Sequence, residues 1–281
     1  MNFSVTFSNG TNSFNEGFYL TAFRNLENKN NLILALVIIY IITLLGNLVL
    51  LAVVLMNSSL QNPKYLAVCN LAIVDISMNS VIIPQMVPVL IFNQNYVSFG
   101  ACFSQMFFVH FFGDMESFSL ALLAYDRLIA ICWHLRYSTI NTNLRMLLII
   151  VHCKIQYNKW ITLTVLLGPL TFIFTYVIVV VAVTWIASTS QHWKAFHTCL
   201  THLLLVLLYY TVHILAYILG NLRLIQNFDL YTAVLTVSVT ISPMLNPIIY
   251  SLKTDELRDK IVKLLGKPKV AQQIIKNEAY G

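Results

Sequence analysis

Long apolar runs separated by short polar breaks fill most of this chain, and the runs have the length of a bilayer crossing. A helix needs about 20 mostly apolar residues to span roughly 30 Å of hydrocarbon. Leu32–Met56, Tyr65–Phe92, Ala101–Leu123 (running on to Cys132), Trp160–Ile186, Thr198–Leu219 and Leu230–Leu252 all meet that length. Between the third and fourth of these lies a weaker segment, Met146–Cys153, closed by Lys154. At 1.5 Å per residue it covers about 12 Å, less than half a bilayer.

Composition agrees with the pattern. Of 281 residues, 58% are hydrophobic and 10% charged, and the mean hydropathy is +0.74. Soluble domains carry about 25% charged residues. Residues 32–252 hold only 13 of the 28 charges, too few to clothe a water-facing surface. A disordered chain, a disulfide-stapled secreted domain and a cytosolic enzyme are thereby excluded as main readings. The expected fold is an all-α multi-pass membrane protein.

Charge placement then sets the parity. Lysine and arginine collect in cytoplasmic loops and tails, and residues 253–281 hold seven of the 17. Residues 1–31 hold only Arg24 and Lys29, together with glycosylation sequons at Asn2 and Asn9. An outer N-terminus and an inner tail require an odd number of crossings. Seven crossings put 12 of the 17 basic residues inside, so a seventh is expected near residues 144–159, where apolar sequence is scarce. The organisation is an extracellular segment over 1–31, a bundle over 32–252 and a cytoplasmic tail over 253–281. In that tail, Thr254–Leu265 reads as a short amphipathic helix lying on the anionic inner leaflet of the lipid bilayer. The basic excess sits mostly there and is no sign of nucleic acid binding. Residues 1–31 lack the apolar core of a cleavable signal peptide.

Charged residues inside a membrane are costly and point to function. Asp75 lies midway through the second span, and Asp114 and Glu116 lie in the third. Spaced by two, the last pair face different ways on a helix. Facing carboxylates hold a shared cation or proton, so Asp75 and Glu116 are a candidate sodium or proton site. The alternative is a protonated carboxyl satisfied by Ser77, Asn79, Ser117, Ser119 or Asn246. Asp126-Arg127 sits at the inner end of the third span and suits a latch facing a cytoplasmic partner. Asn246-Pro247 breaks the last span near its inner end and marks a hinge. No catalytic set, nucleophile elbow, zinc spacing or phosphate loop emerges, so an enzyme is not expected and no cofactor beyond a sodium ion.

Several motifs in order resemble the rhodopsin-like G protein-coupled receptors, and within them the olfactory receptors. They are Gly46-Asn47, the loop Leu60-Gln61-Asn62-Pro63-Lys64-Tyr65 in a form similar to fish odorant receptors, and Asn70-Leu71-Ala72 with Asp75. Ala124-Tyr125-Asp126-Arg127-Leu128-Ile129-Ala130-Ile131-Cys132 is similar to the family's MAYDRYVAIC. Lys194-Ala195-Phe196-His197-Thr198-Cys199 with His202, and Pro243-Met244-Leu245-Asn246-Pro247-Ile248-Ile249-Tyr250, complete the set.

The resemblance implies a seven-transmembrane-helix receptor bundle that binds a small-molecule odorant and activates a stimulatory olfactory heterotrimeric G protein. It implies that Asp75 and Glu116 form the sodium pair and that Asp126, Arg127, Asn246, Pro247 and Tyr250 act in activation. It further implies a Cys102–Cys153 disulfide and a place in the plasma membrane. Met106, His110, Asp114, Tyr210, His213 and Tyr217 are then the expected lining of the odorant cavity, with Asp114 and His110 suited to an amine. Two departures stand out. Leu128 replaces the tyrosine after the family's arginine, and Arg145 is followed by Trp160 after only 15 residues, which truncates the fourth helix and the loop after it. That truncation raises an alternative, a non-signalling receptor-like protein held in the endoplasmic reticulum. A six-span transporter or channel would need repeats or discontinuous helix pairs, and none is visible.

Overall fold

The computed structural model describes residues 17–20, 23, 26, 29–132, 136–152, 211, 218 and 227–264. Three long helices come first: α1 (Lys29–Met56), α2 (Pro63–Ile91) and α3 (Phe99–Cys132). A single helical turn, Tyr137–Ile140, and a shorter apolar helix, Asn143–His152, follow. The last spanning helix is Phe228–Lys253, and a terminal helix, Asp255–Leu264, follows its C-terminal end, the end that charge placement expects on the inner side and that is called inner below. α1, α2, α3 and the last spanning helix are each long and apolar enough to cross a membrane. The expected Trp160–Ile186 span lies outside the described residues, as does Thr198–Leu219 except for Thr211 and Ile218.

Local chemistry fixes the helix ends. Asn62 caps α2 by accepting the Tyr65 amide at 3.3 Å, and Pro63 occupies the first turn, where no N–H is needed. Asn227 caps the last spanning helix by accepting the Asp229 and Leu230 amides at 3.0 and 3.2 Å. At the inner end of α1, Asn57 and Gln61 donate to the Val53 and Leu55 carbonyls, which lack helical partners.

Two apolar clusters hold the bundle. The inner one joins Leu50, Val53, Tyr65, Leu71, Leu120, Leu123, Tyr250 and Leu257, so the terminal helix is part of it. Met146 and Ile150 of Asn143–His152 also pack there. The outer cluster joins Leu32, Leu36, Ile39, Met78, Ile82, Ile83, Leu90 and Ala233. α1 leaves Leu34, Ile38, Ile41, Leu45, Leu48 and Leu55 exposed at spacings of three, four and seven, a stripe for lipid.

Between the clusters lies a constraint set by the prolines of the last spanning helix. Pro247 has no N–H to donate to the Pro243 carbonyl one turn earlier, and in hydrocarbon such a carbonyl needs another donor. Asn47 of α1 supplies it at 3.2 Å while also donating to Thr43. The close approach depends on Gly46, where an added Cβ would stand 3.0 Å from the Pro247 ring.

Two features differ from the sequence-based expectation. The weak fourth segment is helical from Asn143 rather than Met146, and its described part, Asn143–His152, rises about 15 Å. The structure is also not purely α: β1 (Gly17–Tyr19) pairs antiparallel with β2 (Tyr96–Ser98), bringing the N-terminal segment onto the α2–α3 loop. Three-residue strands of mixed polarity carry almost no periodic signal.

Replacing Asn47 by Leu keeps the volume but orphans the Pro243 carbonyl. The expected loss is about 1–3 kcal/mol, read as a lower thermal unfolding midpoint in lipid nanodiscs. An unchanged midpoint would contradict the repair.

Candidate functional site

A buried polar belt crosses the bundle between the apolar clusters, and the predicted carboxylates are in it. Asp75 on α2 is fully buried and receives the Asn246 amide on both oxygens, at 3.1 and 3.0 Å. Glu116 on α3 is also buried and accepts the Ser242 hydroxyl at 2.8 Å. Ser242 and Asn246 are one turn apart, so one face of the last spanning helix serves both acids. Asn79, one turn outward from Asp75, donates to Thr43 at 2.8 Å and to the Thr240 carbonyl at 3.1 Å. Asn70 donates to Ser119 at 2.7 Å, closing the belt between α2 and α3.

The belt's chemistry suits a hard cation. Asn79 Oδ1, one helical turn along α2 from Asp75, is buried without a hydrogen-bond partner among the described residues. An alkali ion is bound by oxygens of this kind. Among the described residues no cluster of three His, Cys, Asp or Glu side chains could hold a transition metal.

At the inner end of α3 the Asp126-Arg127 pair is in place but loosely joined. Arg127 Nε stands 3.8 Å from Asp126, too far for a hydrogen bond. Asp126 is buried and held instead by the following loop: Tyr137 Oη donates to it at 2.5 Å and Asn141 Nδ2 at 2.7 Å. Burial first, then the Asp126 hydrogen bond and charge, push the Tyr137 hydroxyl above its ordinary range, so it stays a donor. Tyr137 and Asn141 were not legible beforehand. They stand 11 and 15 residues from Asp126, beyond any helical spacing, and only the loop's return brings them back.

Of the other residues expected to act in activation, Tyr250 is buried with its hydroxyl unpartnered among the described residues, one turn on from Asn246. Pro247 packs at Gly46. Tyr65, from the sequence motif at the start of α2, donates to Glu256 at 3.1 Å and so ties the terminal helix to the bundle.

The expected odorant lining is divided. Met106, His110 and Asp114 follow at four-residue steps on one face of α3. His110 carries its proton on Nδ1, which donates to the Met106 carbonyl at 2.7 Å. Tyr210, His213 and Tyr217 lie outside the described residues, and so do Asn2, Asn9 and Cys153. Cys102 is half-buried near the start of α3 and has no disulfide partner among the described residues.

Long apolar helices, four of membrane length among the described residues, joined through this belt define a class, the multi-pass helical membrane protein. Comparison with known proteins narrows it. A sequence model described as olfactory receptor matches residues 36–160 and 149–268. The chain is similar to human olfactory receptor 10A6, with 31% identity over 297 aligned positions, covering 88% of this chain and 93% of that one. It is similar to human olfactory receptor 51T1, 32% identical and covering 92% and 93%. It is also similar to rat olfactory receptor 1f45, 28% identical and covering 92% and 97%. The chain belongs to the olfactory receptor family.

The 297 positions aligned with olfactory receptor 10A6 exceed the 88% of 281 residues that this chain brings to them, so it is the shorter of the two within the match. The family model matches in two pieces that overlap at residues 149–160.

Changing Tyr137 to Phe removes one charge-assisted bond, worth about 1.5–3 kcal/mol. Amide exchange over residues 136–142 should quicken by about tenfold or more, read by mass spectrometry in nanodiscs. An unchanged rate would mean that the loop is held elsewhere.

Proposed function

We propose that this chain is an odorant-activated receptor of the plasma membrane, with its N-terminus outside and its tail inside, that signals through a stimulatory olfactory heterotrimeric G protein. The observation that carries the reading is the state of Asp126. The second inner loop holds this carboxylate with two donors, leaving Arg127 at 3.8 Å and near the inner surface. A G protein that takes up Arg127 therefore has only a long ion pair to displace.

A small odorant lodges on the α3 face of Met106, His110 and Asp114, with Tyr210, His213 and Tyr217 opposite, and favours the active arrangement through its higher affinity for it. The last spanning helix carries the change. Its face bears Ser242 and Asn246 on the two acids, and the hinge at Pro247 lets the inner turn with Tyr250 move separately. Asp75, Glu116 and the orphaned Asn79 oxygen would hold a sodium ion, which supplies positive charge between carboxylates that otherwise repel. The receptor performs no covalent step. Glycans at Asn2 and Asn9 and a Cys102–Cys153 disulfide on the outer side belong to the same reading.

The test is a cyclic-AMP reporter in cells supplied with the olfactory G protein, challenged with an odorant panel that includes amines. A response abolished by Arg127→Ala is expected, with Asp114→Ala lowering potency at least tenfold for cationic odorants and less than threefold for neutral ones. Sodium should weaken agonist potency in the unaltered chain and have no effect in Asp75→Asn. A second reading, a retained receptor-like protein that does not signal, is favoured by the short 15-residue stretch from Arg145 to Trp160. It predicts silence toward the whole panel and staining confined to the endoplasmic reticulum.

A further inference from the structure

The N-terminal segment is fastened to the outer end of the bundle at points well apart. β1 lies against β2 in the register Gly17↔Ser98, Phe18↔Val97 and Tyr19↔Tyr96, and the Leu20 amide extends the pairing to the Asn95 carbonyl at 2.8 Å. Side chains reinforce it: Phe18 stacks on Phe99 at 5.6 Å between centroids, and Tyr19 meets Tyr96 edge to face at 5.5 Å. Gly17 lets the Tyr96 ring lie against it, since an added Cβ would stand 2.6 Å from that ring and push it aside. Two-stranded pairs this short are marginal alone, so something further must hold the segment.

That further hold is Phe23. Its side chain is 4% exposed and packs in the outer cluster with Leu32 and Leu36 of α1, Ile82, Ile83 and Leu90 of α2, and Ala233 of the last spanning helix. Its backbone takes φ 67°, a left-handed conformation that a phenylalanine adopts only under constraint. The constraint is visible: the Phe23 amide donates at 2.8 Å to the carboxylate of Asp229, itself buried in the first turn of the last spanning helix. Lys29 adds a reach to Asn93 at 3.3 Å, on the same α2–α3 loop that carries β2. The cluster under Phe23 runs down to Met78, with Val109 and Phe112 of α3 against it, and so borders the face that bears His110 and Asp114.

We propose that residues 17–20 and Phe23 form a fixed lid, with Phe23 the stopper between α1, α2 and the last spanning helix and Asp229 the clip that keeps it seated. The lid closes that side of the outer mouth, so a ligand reaches the α3 face from the opposite side. The ligand part rests on the odorant reading above, whereas the lid stands on its own contacts and is tested without any odorant.

The test is the rate at which a membrane-impermeant methanethiosulfonate reagent labels single introduced cysteines in the full chain in nanodiscs, with the unsubstituted chain as background. Tyr19→Cys, at an exposed position of the lid, serves as the internal reference. Phe23→Cys should label at least tenfold more slowly than Tyr19→Cys, and Asp229→Ala should bring it to within about threefold of the reference. Met78→Cys, beneath the stopper, should label at least tenfold faster once Phe23→Ala is added. If Phe23→Cys labels as fast as Tyr19→Cys, the segment is not seated and the lid is wrong. If it labels slowly but Asp229→Ala has no effect, Asp229 is not the clip. A Met78→Cys rate indifferent to Phe23→Ala would mean the opening is closed by something other than Phe23. None of these results depends on whether the chain answers odorants.

Discussion

Two prolines one turn apart in a membrane helix create a debt of hydrogen bonds that the neighbouring helices must meet. Pro247 cannot serve the Pro243 carbonyl, and Asn47 from α1 does so through the gap that Gly46 leaves. Because lipid offers no replacement donor, α1 and the last spanning helix must meet at this level. Their apolar contacts above and below follow from it. Packing alone would specify the pairing weakly, since lipid tails are as apolar as leucine.

The same level of the bundle carries the polar belt. Asn246, next to Pro247, is aimed at Asp75, and Ser242 a turn earlier at Glu116. Outward of the belt, the last spanning helix is pinned by the outer cluster and by Asp229 beneath the N-terminal segment. Inward, Tyr250 and Leu257 belong to the inner cluster, and Glu256 is tied to Tyr65. The helix thus consists of two anchored arms joined at the point where its own backbone bonding is weakest. A ligand that alters the outer arm has a mechanical route to the inner one.

Sequence reading succeeded where chemistry is local or forbidden by the solvent. Apolar runs of bilayer length located α1, α2, α3 and the last spanning helix to within about three residues at each end. Asp75 and Glu116 stood out because charge in hydrocarbon demands a partner, and the structure buries both in one belt. The partners themselves were only half legible. Asn246 was among those considered for the carboxyls, but Ser242 was not, since nothing in one helix's pattern shows which of its hydroxyls meets another helix. The Tyr137 and Asn141 hold on Asp126 and the seat of Phe23 depend on chain reversals, which leave no periodic trace. The β1–β2 pair was missed for the same reason.

The stretch from Arg145 to Trp160, only 15 residues long, is where membership of the family and competence as a receptor part company. Met146 and Ile150 of its described helical part are buried in the bundle. The direct measurement is topology: epitope tags at both ends of the chain, scored on intact and permeabilised cells. The account predicts the N-terminal tag on the outer surface and the C-terminal tag accessible only after permeabilisation. Both tags on one side would give an even number of crossings and would contradict a working receptor, because Arg127 and the tail could not then face the same G protein in the manner described.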